Sequence, residues 1–159
     1  RGLYFGIKTC LAAHVTTGGD VICPYGCLGL GDCFNVCAFD AIRMEKGSPV
    51  VDANKCTACG KCVAACPRKL ITLHDYDPQK GLVAVVCSSR DRGPEVKKVC
   101  EVGCIACKVC EKQGPENVFK VEDNLSAMNY ELYTDASACQ LAIEKCPTHC
   151  IAVINIRTS

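Results

Sequence analysis

Four cysteines in the segment CTACGKCVAACP constrain this chain more than any other feature. They are Cys56, Cys59, Cys62 and Cys66, separated by two, two and three residues, and Pro67 follows the last. A loop with this spacing can wrap an iron–sulfur cube and direct three thiolates at it, while the fourth points towards a neighbouring cluster. The alternative is a zinc knuckle built from the two C-x2-C pairs. The 2-2-3 spacing followed by proline favours a [4Fe–4S] cluster.

Cysteine is abundant throughout the chain, at 17 of 159 residues. Such richness in a short chain indicates either a disulfide scaffold or a metal protein, and an odd count fits complete disulfide pairing poorly. The formal net charge is +1, which does not indicate a nucleic-acid surface. No apolar stretch reaches the length of a membrane-spanning helix. Thiolate ligands must stay reduced until they bind metal, which favours the cytoplasm over an oxidising compartment.

The cysteines recur in bunches, and the segments between them recur too. The bunches are Cys23–Cys37, Cys56–Pro67, Cys100–Cys110 and Cys139–Cys150. Alternating residues predict a β-hairpin within residues 41–52 and another within 117–132. A short strand is predicted after each second bunch, over residues 70–74 and 151–156. The order of cysteines, hairpin, cysteines and strand thus occurs twice. The repeated unit resembles a two-cluster ferredoxin module. The predicted fold is α+β, with tandem bacterial-type ferredoxin modules of short hairpins and small helices around [4Fe–4S] clusters.

The repeat suggests four segments. Residues 1–22 form a lead-in outside either repeat, with one or two helical turns between Ile7 and Val15. Residues 23–76 form a complete two-cluster module. Residues 77–99 form a linker with a strand at Leu82–Val86 and a short helix after Pro94. Residues 100–159 form a second, degenerate module.

Two clusters are predicted in the first module by the crossed-ligand rule of two-cluster ferredoxins. The first bunch has a longer loop, with gaps of three, five and three residues, and Ala38 replaces the usual proline. The ligands of cluster 1 are Cys23, Cys27, Cys33 and Cys66. The ligands of cluster 2 are Cys56, Cys59, Cys62 and Cys37.

The second module is predicted to keep a single cluster. Cys104, Cys107 and Cys110 keep the C-x2-C-x2-C spacing, and Cys146-Pro147 keeps the fourth ligand, so these four cysteines form cluster 3. At the positions of the other site, only Cys139 is a cysteine. The remaining positions hold Gly114, Ala136 and Ala142, and one thiolate cannot hold a cube.

Five cysteines are left without an assigned role: Cys10, Cys87, Cys100, Cys139 and Cys150. Packing is the simplest interpretation, because free cysteine is among the most buried residue types. Two alternatives stay open: Cys100 could replace Cys104 as a ligand, and Cys150 could replace Cys146. His14, His74 and His149 are isolated and do not form the paired His–Cys pattern of a Rieske site. No nucleophile, dinucleotide or phosphate-loop motif is present, so no substrate-converting site is expected in this chain.

Together these motifs resemble a known family. The runs ICPYGCLGLGDCFNVCAFDAI, VVDANKCTACGKCVAACPRKLI, VVCSSRDRG and VCEVGCIACKVCEK are similar to the ferredoxin-domain portion of the B subunit of the Rnf complex. That complex is a membrane-bound, ion-translocating ferredoxin:NAD oxidoreductase. The resemblance covers roughly residues 4–154. Family members usually carry an N-terminal membrane helix and a further cysteine-rich cluster domain, which these residues do not contain. They also commonly keep the cysteines replaced by Gly114, Ala136 and Ala142.

The resemblance implies an electron-transfer subunit at the cytoplasmic, inner face of the cell membrane, in an anaerobic host. It would take electrons from soluble ferredoxin or a similar donor and pass them to flavin- or iron–sulfur-containing subunits. It would meet the membrane only indirectly, through the complex or through an unseen anchor, and no nucleic-acid partner is expected. The alternative is a polyferredoxin-like electron-transfer subunit of a different multi-subunit redox enzyme. A metal or disulfide scaffold without a redox role is the third hypothesis.

Overall fold

The structure is a computed structural model that describes residues 5–16 and 18–154. Contacts divide the described residues into two compact units, one ending at Leu73 and the other beginning at His74. All six helices and all six strands of the described residues are short. Their mixture agrees with the predicted α+β class.

Unit 1, up to Leu73, contains one antiparallel hairpin and three helices of four to seven residues. The helices are α1 (Cys10–Thr16), α2 (Asp32–Asn35) and α3 (Lys61–Ala65). The strands are β1 (Ile42–Glu45) and β2 (Ser48–Val51). Helix α1 overlaps the predicted helical segment, but it begins three residues later, at Cys10, and ends one residue beyond it, at Thr16. Thr9 caps it, because its side-chain hydroxyl accepts a hydrogen bond from the amide of Ala12 at 3.2 Å.

Unit 2, from His74, contains two antiparallel strand pairs and three helices. The helices are α4 (Gly93–Val99), α5 (Val109–Gln113) and α6 (Gln140–Glu144). The strands are β3 (Val83–Val85), β4 (Phe119–Glu122), β5 (Leu125–Met128) and β6 (Ile151–Val153). The order α5, β4, β5, α6 repeats the order α2, β1, β2, α3 of unit 1, so the internal repeat read from the cysteines is present in the backbone.

Both predicted hairpins are confirmed, and both turn through two residues in the left-handed region. Lys46 and Gly47 have φ values of 48° and 78° between β1 and β2, and Asp123 and Asn124 have 48° and 62° between β4 and β5. Two-residue turns with positive φ match the right-handed twist of the flanking strands. Glycine, asparagine and aspartate tolerate this conformation best, which explains three of the four turn residues.

The two terminal strands predicted for the repeat have different outcomes. The strand expected at 151–156 is confirmed as β6, which pairs with β3, itself inside the predicted Leu82–Val86 segment; residues 155 and 156 lie outside the described residues. The prediction of a strand at 70–74 is wrong, because the backbone of these residues is irregular. The two segments differ because, among the described residues, only the second has a neighbouring strand to pair with. The strand β3 that pairs with β6 comes from the segment before the second repeat, and the described part of unit 1 has strands only in its hairpin.

Unit 2 has a substantial apolar core, whereas the buried residues of unit 1 are few and small. In unit 2 the core combines Val83, Val118, Phe119 and Ile151 with five cysteines and Ala142. Among the described residues of unit 1, the buried apolar ones are Cys10, Ala13, Cys33, Ala41 and Ile42. Unit 1 therefore has little aliphatic surface with which to hold itself together.

Phe119 should be essential to unit 2, because it is only 3% exposed and packs within this core. We expect Phe119→Ala to lower the free energy of unfolding by about 3–5 kcal/mol, through lost burial and the cavity left behind. The neighbouring Lys120→Ala is the matched control, since that side chain is exposed. Chemical denaturation followed by circular dichroism measures both. Equal effects of the two substitutions would contradict the described packing.

Candidate metal centres

Two cysteine loops share one backbone conformation. The loop from Cys56 to Cys62 and the loop from Cys104 to Cys110 each have two residues in the left-handed region, at the third and fifth positions. These residues are Ala58 (φ 53°), Gly60 (φ 75°), Ala106 (φ 55°) and Lys108 (φ 60°). Only one of the four is glycine, so each loop holds a conformation that costs other residues about 1–2 kcal/mol.

Backbone amides approach several of the cysteine sulfurs. The amide of Gly29 donates to the sulfur of Cys27 at 3.4 Å, and the amide of Leu70 donates to the sulfur of Cys66 at 3.4 Å. Amide hydrogen bonds of this kind stabilise a thiolate and tune the potential of an attached cluster. Between Cys66 and Leu70 the chain turns back at Lys69, which has a φ of 52°.

A cavity of about 220 Å³ lies in unit 1 and is lined by four cysteines. They are Cys10, Cys27, Cys33 and Cys66. Most of the remaining lining is apolar, including Leu28, Met44 and Ile71. Burial raises the pKa of the Cys33 thiol, and the nearby Cys27 and Cys10 raise it further, whereas the amide of Phe34 opposes them. Three of the four ligands predicted for cluster 1 are thus brought together.

The fourth predicted ligand, Cys23, is not among the described residues that line this cavity. It begins a turn in which the amide of Gly26 donates to the Cys23 carbonyl at 3.2 Å. Arg68, which does line the cavity, binds this turn through the carbonyls of Cys23 and Gly26, and its other amino group donates to the carbonyl of Gly18 at 2.5 Å. The guanidinium therefore fastens the turn to the segment that carries Cys66.

The ligands predicted for cluster 2 lie nearer to the surface. Cys56 and Cys59 are exposed, and Cys62 is partly buried. Burial raises the pKa of Cys62, and Cys56 and Cys59 lie close enough to raise it further. Cys37 lies among the amides of Phe39, Ala41 and Ile42, and these hydrogen bonds, that from Phe39 first, lower its pKa. The structure brings Cys56, Cys59 and Cys62 together, and the place of Cys37 beside them stays a prediction.

Five cysteines line a second cavity, which lies in unit 2. They are the four ligands predicted for cluster 3, Cys104, Cys107, Cys110 and Cys146, together with Cys150. The rest of the lining is mainly apolar, with the hydroxyl groups of Ser126 and Thr148. Ser126 is hydrogen-bonded to the Cys110 sulfur at 3.2 Å. With the thiols arranged as they are, the free volume is about 10 Å³.

Cys150 fills much of the space between the other thiols of this cavity. Its sulfur lies 3.6 Å from that of Cys146 and is hydrogen-bonded to Cys104. This hydrogen bond lowers the pKa of Cys104, to about 5, and raises the pKa of Cys150. Of the two, Cys104 is the better thiolate and Cys150 is the donor. The pairing of β3 with β6 continues to this residue, because the amide of Val86 donates to the Cys150 carbonyl at 2.8 Å.

The position where the repeat would place a fourth cluster is filled by packed side chains. Ala142 is fully buried and Cys139 is 1% exposed, and Ala136 packs against the same core. At Gly114 a Cβ atom would lie 2.6 Å from the ring of Phe119 and 2.7 Å from the carbonyl oxygen of Cys110. No side chain, including that of cysteine, fits there without movement of its neighbours.

The remaining cysteines and histidines lie outside both cavities. Cys87 packs against the core of unit 2, and Cys100 ends α4 and is not among the described residues lining the cavity. His14 and His149 are exposed, and His74 packs against Tyr130 with ring centroids 3.8 Å apart. Among residues 5–16 and 18–154, no three Cys, His, Asp or Glu side chains gather as they would around one metal ion. Nine of the cysteines line the two cavities instead.

Cys10 and Cys150 are the two cavity cysteines that were not among the predicted ligands. Cys10 comes from the lead-in segment, so no motif spacing connects it to the site. A signal for Cys150 was available in the sequence. It lies four positions after the expected ligand Cys146, as Leu70 lies four positions after Cys66 in the first repeat.

Soft thiolates around an apolar, enclosed space are the donor set that iron–sulfur cubes require. The cavity of unit 1 fits such a group in both donors and volume. The site of unit 2 fits it in donors, and the side chains of its cysteines would have to swing outwards to admit it. The cysteine residues present therefore fit [4Fe–4S] clusters.

Comparison with known proteins agrees with this chemistry. A family model described as a 4Fe-4S binding domain matches residues 49–72. Over 153 residues the chain is 40% identical to the B subunit of the Na(+)-translocating ferredoxin:NAD(+) oxidoreductase complex of Acetobacterium woodii, covering 96% of the chain and 44% of that protein. Over nearly its whole length the chain is similar to this Rnf-type B subunit.

Two further B subunits of ion-translocating complexes match as well. That of the ion-translocating oxidoreductase complex of Methanosarcina acetivorans is 43% identical, over 93% of the chain and 54% of that protein. That of the proton-translocating ferredoxin:NAD(+) oxidoreductase complex of Clostridium ljungdahlii is 40% identical, over 95% of the chain and 52% of that protein. The chain thus spans about half the length of these relatives.

The resemblance to the Rnf B subunit, the ferredoxin fold class and the [4Fe–4S] type of cofactor are thereby confirmed. The number of clusters and their individual ligands stay predictions. No helix within the described residues is long and apolar enough to cross a membrane.

Gly114→Ala tests whether the fourth position is closed. We expect a loss of about 1–3 kcal/mol in the free energy of unfolding, because the added methyl group overpacks the space between Phe119 and the Cys110 carbonyl. Gly26→Ala is the control, since a Cβ there would meet its nearest neighbour at an ordinary 3.5 Å. Chemical denaturation of both variants measures the difference. A Gly114→Ala variant as stable as the wild type would show that the position is open.

Proposed function

We propose that this chain is an iron–sulfur electron-transfer subunit of an Rnf-type complex and carries three [4Fe–4S] clusters. The observation that carries the proposal is the cysteine-lined cavity in each unit, in a chain similar over nearly its whole length to Rnf B subunits. Each cluster, when bound, supplies a one-electron carrier, and the protein supplies position, insulation and tuning.

The three clusters divide unequally between the two units. The site around the 220 Å³ cavity uses Cys27, Cys33 and Cys66 with one further cysteine, for which the sequence proposes Cys23. The second site of unit 1 uses Cys37, Cys56, Cys59 and Cys62. The site of unit 2 uses Cys104, Cys107, Cys110 and Cys146, with the Cys150 thiol donating a hydrogen bond to a ligand sulfur.

The exposure of the ligands suggests where electrons enter and leave. Cys56, Cys59 and Cys107 are exposed, so each unit has at least one proposed ligand at its surface. In unit 2 the buried ligands Cys104 and Cys110 keep the other side of the same site away from water, whereas the buried Cys33 of unit 1 belongs to a different site from Cys56 and Cys59. A cluster held between exposed and buried cysteines can exchange electrons with a docked partner while most of it stays insulated.

The names of the relatives support a proposal for the partners. Two of their names specify ferredoxin:NAD(+) oxidoreductase complexes that translocate ions. We accordingly propose soluble ferredoxin as the donor and flavin- or iron–sulfur-containing subunits of the same complex as acceptors. The location proposed with them is the cytoplasmic, inner face of the cell membrane.

Iron and acid-labile sulfide analysis of anaerobically purified protein tests the cluster content. Three cubes predict about twelve irons and about twelve sulfides per chain, together with EPR signals after reduction by dithionite. About eight irons would remove one of the three sites, and about sixteen would mean that the filled fourth position binds a cluster after all. A colourless protein that contains zinc would end the electron-transfer proposal.

Mixing with reduced ferredoxin tests the electron transfer itself. The visible absorbance of the clusters should bleach within the mixing time of a stopped-flow experiment at low ionic strength, in stoichiometry with the clusters. A chain loaded with clusters that dithionite reduces and ferredoxin does not would retain the cofactors and refute the proposed donor.

A pair of substitutions identifies the ligands of unit 2. We expect Cys104→Ala to lose about four irons per chain, because Cys104 lines the cavity, and Cys100→Ala to keep the wild-type iron content, because Cys100 does not. The two residues are four positions apart and serve as matched controls for each other. Loss of iron on changing Cys100, with retention on changing Cys104, would reverse the assignment.

A further inference from the structure

The loop from Cys27 to Cys33 aligns in sequence with the two regular loops, Cys56–Cys62 and Cys104–Cys110. Cys27 and Cys33 are six positions apart, as are Cys104 and Cys110. The third and fifth positions of this segment, Gly29 and Gly31, have φ values of 72° and 81°. These are the positions at which both regular loops adopt the left-handed conformation. The last cysteine is the second residue of a short helix in each case, α2 and α5.

This correspondence shows which ligand the first loop lacks. Cys27 stands where Cys104 stands, and Cys33 stands where Cys110 stands. The middle position, held by Cys107 in unit 2, is held by Leu30 in unit 1. The first loop therefore has the two outer ligands of a regular loop and lacks the middle one.

Cys23 does not occupy the missing position. It lies four residues before Cys27 and corresponds to Cys100, and the segments CPYGC and CEVGC align without a gap. A Cβ on Gly26 would lie 3.5 Å from the Cys23 Cβ, and a Cβ on Gly103 would lie 3.5 Å from the Cys100 Cβ. The two cysteines thus have the same relation to the turn that follows. Neither is among the described residues that line the cavity of its unit.

Cys10 does reach the cavity in unit 1. It is the first residue of α1, is 9% exposed, and lines the cavity with Cys27, Cys33 and Cys66. Two hydrogen bonds hold it there: the amides of Cys10 and Leu11 donate to the two carboxylate oxygens of Asp32, at 2.9 Å and 3.1 Å. Asp32 is the residue next to Cys33, so it fixes the start of α1 against the loop that carries two of the ligands.

We infer that Cys10, rather than Cys23, is the fourth ligand of the cluster held by Cys27, Cys33 and Cys66. The lead-in segment is then part of the metal site, and its helix supplies the ligand that the first loop lacks at Leu30. This inference rests on the proposed function, because it presupposes a [4Fe–4S] cluster in this cavity.

Three single substitutions to alanine test the ligand set, with iron and sulfide content and reduced-state EPR as readouts. Alanine is chosen because a serine oxygen could still bind iron. Cys27→Ala marks the site and should lose about four irons per chain. Cys10→Ala should lose the same four irons and the same EPR signal. The variant that combines Cys10→Ala with Cys27→Ala should lose no more iron than either single variant. Cys23→Ala should keep the wild-type content.

The outcomes separate the inference from the proposal beneath it. A wild-type chain without iron, or a Cys27→Ala variant that loses none, would mean that no cluster occupies this cavity, and the proposed site itself would fail. Loss of about four irons in Cys23→Ala, or full retention in Cys10→Ala, would overturn the inference while leaving the cluster in place.

A rescue variant covers the case in which Cys10→Ala disrupts unit 1 as a whole and loses about eight irons. Adding Leu30→Cys to Cys10→Ala recreates the regular C-x2-C-x2-C spacing with Cys27 and Cys33. Restored iron content would show that the lost function was ligation. Continued loss of iron in the variant that combines Cys10→Ala with Leu30→Cys would count against Cys10 as a ligand.

Discussion

The requirement to surround a small inorganic group with soft thiolates explains more of this structure than aliphatic packing does. Each regular loop carries three cysteines and holds two residues in the left-handed region. Most of those residues are not glycine, so the loop conformation is maintained against its local preference. The short helices, the tight hairpins and the small buried residues of unit 1 are compatible with an interior in which thiols replace leucines.

The sequence was most informative where one physical rule acts over a few residues. The alternating segments around Lys46-Gly47 and Asp123-Asn124 predicted both hairpins, because strand period and turn conformation are local properties. The missing strand at 70–74 illustrates the opposite case. Its composition resembles that of β6, and a strand forms only where a partner offers hydrogen bonds, which β3 provides in unit 2.

The cavities follow the same distinction. Cys104, Cys107 and Cys110 could be grouped from their spacing because a single loop carries them, and Cys146 followed from the repeat. Cys10 could not be grouped in this way, because the contact between α1 and Asp32 is made across 22 positions of sequence. The role of Cys23 could have been questioned from sequence alone by aligning CPYGC with CEVGC. The chemistry was readable from the motifs, and the membership of each site depended on tertiary contacts.

The packing of Ala136, Cys139 and Ala142 into the core of unit 2 has a consequence for maturation of the protein. Metal binding and folding share one free energy when the site does not exist in the unfolded chain. Unit 1, with few buried aliphatic residues, depends strongly on that shared free energy. Unit 2 has a larger apolar core, so a larger part of its stability is present before iron arrives. Unit 2 can therefore fold largely before iron arrives, and the side chains of its cysteines then move outwards to admit a cluster, whereas unit 1 gains more of its stability from cofactor binding.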